Sequence, residues 1–287
     1  MADLPQELID KIIDEIAQRN FVDTLRACCL VQKRWVERSR SHLFQDIDLY
    51  FKVRFGGWVE SIPLGPNSPH RHVRSLTYRQ HTDVIGPEQL LDLHPGHFIS
   101  FIRLEILRIF NLSLPRFTPT SMKEAFGPVG SSVRELVVHN VALTLNSLSM
   151  FLIHFPRLEV LHIGESGLEV TTERGEQPQN LPNFTGELIL TSVGWAQAPF
   201  VLGLSNLPLR YSELDVEFRW NSDILNAIAY LILTCSPTLE KLTLGCSRAV
   251  FTRGTPNASN SSEAFTHTRR LLNSVAHRSH RSVSPRS

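Results

Sequence analysis

The chain has 287 residues, 42% hydrophobic and 20% charged, with a formal net charge of +1. That composition fits a globular protein and gives no electrostatic case for binding nucleic acid or a membrane surface. The longest apolar run, near residues 225–235, is too short to span a bilayer, and the acidic start (Asp3, Glu7, Asp10) is unlike a secretory signal. Four cysteines (Cys28, Cys29, Cys235, Cys246) make no disulfide framework, so a reducing setting, cytoplasmic and/or nuclear, is expected. Glycosylation patterns at Asn111, Asn183, Asn257 and Asn260 are then chance matches.

The first predicted element is a helix over residues 4–16. Leu8, Ile9, Ile12, Ile13 and Ile16 fall on one helical face, Pro5 suits the first turn, and Glu7 lies near the positive end of the dipole. A second apolar stretch, residues 23–44, buries Leu25, Cys28, Cys29, Val31 and Trp35, with Asp23 or Thr24 as its cap. Two or three short helices of this kind cannot enclose a large core. Some apolar surface is left over, and it should face a partner.

The strand signature comes next. Ile47, Leu49, Phe51 and Val53 alternate with Asp46, Asp48, Tyr50 and Lys52, which predicts a half-buried strand over residues 45–53. An apolar-x-x-Leu-x-apolar pattern then returns at Val73, Leu104, Val133, Leu158, Thr185, Tyr211 and Leu239. Counted with Phe44, the copies are spaced by roughly 25 to 31 residues, the period of a leucine-rich repeat or a close relative. Between them, residues 87–102, 145–155 and 223–235 are apolar at helical spacing, and Pro156 and Pro237 stop two of these helices. A strand plus a helix buries its apolar face only by stacking on its neighbours, so a curved solenoid is expected. The asparagine that usually follows such strands is mostly missing; Asn111 and Asn140 come near the place.

Residues 56–72 and 169–183 read as loops on the edge of the repeats. Residues 251–287 hold six arginines, eight serines, one glutamate and no lysine, which predicts a disordered basic tail with a phosphorylation pattern at Ser284-Pro285. The expected organisation is therefore a helical segment at 1–45, a repeat region at 46–250 and a tail at 251–287, in the α/β class.

The N-terminal residues carry a resemblance. Leu4-Pro5, Glu7, Leu8-Ile9, Ile12-Ile13, Leu25, Arg26, Cys28, Leu30-Val31, Lys33, Trp35 and Leu43-Phe44 keep the order and spacing of an F-box. The stretch resembles that family over residues 3–45. The whole chain is similar to fungal F-box proteins with degenerate leucine-rich-repeat-like regions. The resemblance implies docking on a Skp-type adaptor, and through it a cullin, by Leu4, Pro5, Leu8, Ile9, Ile12, Leu25, Cys28, Leu30, Val31 and Trp35. It also implies a protein target, of unknown identity, held by the repeats.

Nothing in the sequence marks catalysis. His70-Arg71-His72 and His94/His97 lack partners at zinc-site spacing, and Gly164-Glu165-Ser166-Gly167 is one residue short of a nucleophile turn. No phosphate loop or zinc-protease motif occurs. No enzyme activity, cofactor or metal is expected. On a strand face turned to solvent, Arg79, Arg108, His139, His162, Asp215, Glu217 and Lys241 would run from basic to acidic and suit a protein or peptide. The expected function is the substrate-recruiting subunit of a Skp–cullin–F-box ubiquitin ligase. The alternative is a structural or assembly protein that uses the same helices without promoting ubiquitination.

Overall fold

The computed structural model describes residues 4–50, 68–79, 101–112, 118–164, 184–207, 209–219 and 221–247. Expectations at residues 51–53, 56–67, 87–100, 165–183 and 251–287, including His94, His97 and the Ser166 turn, lie outside them. The chain is α/β. Helices α1 (Gln6–Gln18), α2 (Val22–Val31) and α3 (Lys33–Leu43) precede β1 (Asp46–Tyr50), β2 (Ser75–Arg79) and β3 (Ile106–Phe110). Then follow α4 (Pro119–Gly130), β4 (Glu135–His139), α5 (Leu145–Leu152), β5 (Val160–Gly164) and β6 (Glu187–Val193). The last elements are α6 (Ala198–Leu204), β7 (Glu213–Arg219), α7 (Ser222–Cys235) and β8 (Lys241–Ser247). Strand order follows chain order, and β1–β2, β2–β3, β5–β6, β6–β7 and β7–β8 all pair in parallel. All eight strand signatures form strands.

Two compact units divide the chain: Met1–Leu112 with Thr118–Leu136, and Ser113–Phe117 with Val137–Ser287. In the first, α1 and α2 enclose a small core of Ile9, Ile13 and Leu25, with Trp35 and Leu43 packed against it. The long apolar stretch at 23–44 is broken at Gln32, whose backbone is extended (φ −158°, ψ 147°), so two helices form instead of one. Neither Asp23 nor Thr24 caps α2: Phe21 is the cap residue and makes no side-chain bond. Pro5 lies at the cap of α1, one residue before its first turn.

The strands repeat a backbone device as well as a sequence. Gln45 O accepts the amides of Arg74 and Ser75, Arg74 O those of Glu105 and Ile106, and Glu105 O those of Arg134 and Glu135. Ser212 O does the same for Glu240 and Lys241 in the second unit. Strands β2, β3, β4 and β8 are thus tied at their entrances to the one before, which fixes the register and turns the same side chains inward. Leu76, Leu107 and Leu136 in the first unit, and Leu161, Leu188 and Leu214 in the second, are all buried to 1% or less. Leu242, expected to match them, is half-buried, because among the described residues β8 pairs only with β7.

A buried ring three residues before the first apolar position also recurs. His70, Phe101 and Phe155 are buried to 1% or less, and their carbonyls accept the amides of Val73, Leu104 and Leu158. His70 is therefore a core ring, set edge-on to Phe101 at 5.4 Å and hydrogen-bonded through Nδ1 to Ser68 Oγ at 2.8 Å. The expected loop around it is a short 3-10 turn, Pro69–His72. Asn111 and Asn140 follow β3 and β4 directly with φ of 61° and 51°, the left-handed region that asparagine tolerates better than most residues.

The helices α5 and α7 match expectation. Thr144 and Ser147 form a reciprocal cap on α5, and Asn221 Oδ1 accepts the Asp223 amide at 2.7 Å to cap α7. Two helices were not foreseen. α4 carries Gly127 and Pro128, which read as breakers, yet Met122, Ala125, Phe126 and Val129 keep a buried helical stripe. α6 has only seven residues, too few for a periodic pattern. Among the described residues no helix is long and apolar enough to cross a membrane.

Candidate functional site

In the first unit the apolar residues of α1 fall on two stripes. Ile9 and Ile13 point inward, whereas Leu4, Leu8 and Ile12, four residues apart, are 50%, 48% and 41% exposed. On α2, Leu25 and Cys28 are buried, but Leu30 and Val31 at its end are 88% and 67% exposed, so Val31, expected inside, faces out, and Cys29 is only half-buried. Arg34 explains why these groups lie at one end. Its Nε donates to Gln6 Oε1 at 3.1 Å and its Nη2 to Leu4 O at 3.2 Å, while Gln6 Nε2 donates back to Arg34 O. The start of α1 is thereby held beside the α2–α3 junction that carries Leu30 and Val31.

A second link fixes α1 on α3. Asp14 accepts both Arg38 Nε (2.6 Å) and Arg38 Nη2 (2.7 Å), and its Oδ1 lies 2.7 Å from His42 Nε2. The Arg38 hydrogen bonds hold the Asp14 carboxyl below the usual carboxylate range, with partial burial opposing and His42 assisting. The exposed leucines are thus presented by a braced scaffold. Burying one aliphatic side chain contributes about 1.5–3 kcal/mol, so Leu4, Leu8, Ile12, Leu30 and Val31 together form a surface with a large gain available on contact.

Of the residues expected to dock an adaptor, Leu4, Pro5, Leu8, Ile12, Leu30 and Val31 are exposed. Ile9, Leu25 and Cys28 are core side chains that set the shape beneath, and Trp35 is half-buried against that core. Burial raises the Cys28 thiol pKa, as for an inert core cysteine. Phe21 and Val22, also exposed, were not foreseen; two apolar residues directly after a left-handed Asn20 were the available signal. No family model matches the chain, and no curated protein matches it. The geometry therefore has to carry the functional reading.

The strand face was expected to run from basic to acidic. In the first unit its arginines are already matched. Arg79 Nε lies 3.2 Å from Asp48 Oδ2 with its guanidinium 4.3 Å over the Phe110 ring, and Arg108 donates to Ser75 Oγ and lies 3.9 Å from Glu135. The predicted basic end is absent there because Asp46, Asp48 and Glu135 share the face. In the second unit, Glu187, Glu213, Asp215 and Glu217 occupy alternate, non-core positions of β6 and β7, and Lys241 Nζ meets Glu213 at 2.6 Å. The acidic character expected there is present.

His139 and His162 belong to this second face. His162 Nε2 lies 3.0 Å from Thr191 Oγ1, and burial lowers the ring's pKa, with His139 adding to the effect and Asp215 opposing it. Gly164 makes the arrangement possible: a Cβ there would stand 2.5 Å from the His139 ring and 2.6 Å from Thr191 Oγ1. Among the described residues no group of three His, Cys, Asp or Glu is placed to hold a metal ion.

Proposed function

We propose that this protein is a non-catalytic, substrate-recruiting subunit of a Skp–cullin–F-box ubiquitin ligase. Its helices α1–α3 act as the F-box, and its strand-and-helix units form a leucine-rich-repeat-like array that holds a protein target. The observation that carries this reading is the exposure of Leu4, Leu8, Ile12, Leu30 and Val31 at the positions where the sequence resembles the family's docking edge. Their partner is a Skp-type adaptor, which joins them to a cullin in the cytoplasm or nucleus. The mechanism is proximity: a bound target's lysines are held near a ubiquitin-charged enzyme at raised effective concentration.

The experiment is a binding titration of the full chain against the adaptor. Leu30→Asp and Leu8→Asp place a charge in the contact without touching the core, and each is expected to weaken binding by about tenfold or more. Thermal melting of both variants should match that of the parent. Adaptor binding that survives both changes, or is absent in the parent, overturns the reading.

A further inference from the structure

In the first unit a cleft of about 510 Å³ opens beside α3 and the turn Pro69–His72, a size suited to a small ligand. Arg34, Arg38, Arg71, Arg74 and Arg103 line it, against Asp10 and Glu37. Three of these cations have carboxylate partners: Asp14 for Arg38, Glu37 for Arg71 and, more distantly, Glu105 for Arg74. Two do not. Arg34 donates to the neutral oxygens Gln6 Oε1 and Leu4 O, and Arg103 makes no hydrogen bond or ion pair among the described residues.

His72 supplies an independent sign. It is 8% exposed, and its Nε2 is buried without a hydrogen-bond partner, 3.7 Å from Glu37 Oε1, which is beyond hydrogen-bond length. Burial holds this imidazole below its usual pKa; Glu37 opposes, and the charges of Arg71, Arg103 and Arg40 add to the depression. The ring thus sits among the charges of Arg71, Arg103 and Arg40, with Glu37 as the opposing carboxylate. In a folded protein an unmet buried donor or acceptor is rare and calls for a partner.

We propose that this cleft binds a phosphate monoester dianion, received by Arg34 and Arg103 with His72 as the buried hydrogen-bonding group. Guanidinium groups present paired N–H donors that match phosphate oxygens, and two guanidinium groups with no carboxylate partner among the described residues suit a dianion better than a singly charged carboxylate. The proposal does not rest on the ligase reading, although Arg34 also braces the start of α1. Its ligand is either a free phosphate or a phosphorylated side chain.

Titration calorimetry of the full chain tests this with three probes: inorganic phosphate, phosphoserine blocked at both termini, and acetate. Saturable binding of at least one phosphate probe is expected, with acetate at least about tenfold weaker. Arg103→Ala is expected to weaken phosphate binding by about tenfold or more, and Arg210→Ala in the second unit to leave it unchanged. Arg103 is exposed in the turn before β3, so its variant should fold, as circular dichroism would verify. Tighter binding of blocked phosphoserine supports the site and assigns it to a modified protein; equal binding of inorganic phosphate supports it and assigns it to free phosphate. No saturable phosphate binding, acetate equal to phosphate, or full affinity in Arg103→Ala overturns the proposal.

Discussion

The helices α1–α3 and the strands β5–β7 both carry many aliphatic side chains but dispose of them differently. In the strands, Leu161, Leu188, Leu190, Leu214 and Val216 are all buried to 1% or less, and most alternate positions are charged or polar, with Val160 and Ile189 the half-buried exceptions. In the helices, Ile9 and Ile13 are equally buried, but Leu4, Leu8, Ile12, Leu30 and Val31 stand in solvent. A strand unit has a neighbour on each side to cover its inward face. Three short helices have only one another, and their core closes before their apolar residues are used up. An apolar residue in the strands therefore reports on folding, while one in the helices reports on folding or on contact.

The largest effect that would break this contrast is expected at Leu161. Leu161→Asp buries a carboxylate with no cationic partner in the stack and should cost about 4 kcal/mol or more, read as loss of the cooperative melt. A variant with an unchanged melting temperature would show that the inward register is wrong. A pair within the helices sharpens the comparison. Ile13→Ala should cost about 2–5 kcal/mol by leaving a cavity, whereas Leu30→Ala should change stability by less than about 0.5 kcal/mol. Equal losses in the two would mean that Leu30 is not free in solution.

Acid titration separates the regions more gently. Burial lowers the pKa values of His70 and His72 in the first unit and of His162 in the second. Each ring binds a proton less readily folded than unfolded, so the stability it contributes is present above about pH 6.5 and is lost as the pH falls through its folded value. Asp14 adds a further loss, confined to the first unit, below the ordinary carboxylate range. Denaturant midpoints measured from pH 7.5 to 5 should fall, and His162→Gln should flatten the part of that slope belonging to the second unit. A slope untouched by this change would count against burial of the ring.

The smallest stability effect is expected on the strand face. Reversing exposed Glu217 to Lys should move stability by less than about 0.5 kcal/mol, while slowing association with a target that uses this face and altering its salt dependence. Binding rates that do not respond at low salt would reduce the face to scaffold.

How much of this was legible in the sequence depends on how local the cause was. All eight strands were readable because strand burial repeats every second residue, and a single copy of the pattern was reinforced by the next. Helix α4 was obscured by Gly127 and Pro128, which in isolation signal a stop; tertiary burial of Met122, Phe126 and Val129 overrides that preference. The cleft beside α3 left no trace in the sequence. Arg34, Arg71, His72 and Arg103 are scattered over some seventy residues, and only the fold gathers them.

The amino-acid sequence determined which residues are apolar, at what period, and hence where the strands and most helices lie. It could not say which face of α1 would be covered, since Leu8 and Ile9 are equally apolar and adjacent. Tertiary packing decided that: the brace from Arg34 and Arg38 to Gln6, Leu4 and Asp14 sets the rotation of α1, placing Ile9 inside and Leu8 outside. It likewise decided that His70 and His72 are interior rings rather than loop residues, since the neighbours they meet, Phe101 and Glu37, lie about thirty residues away in either direction.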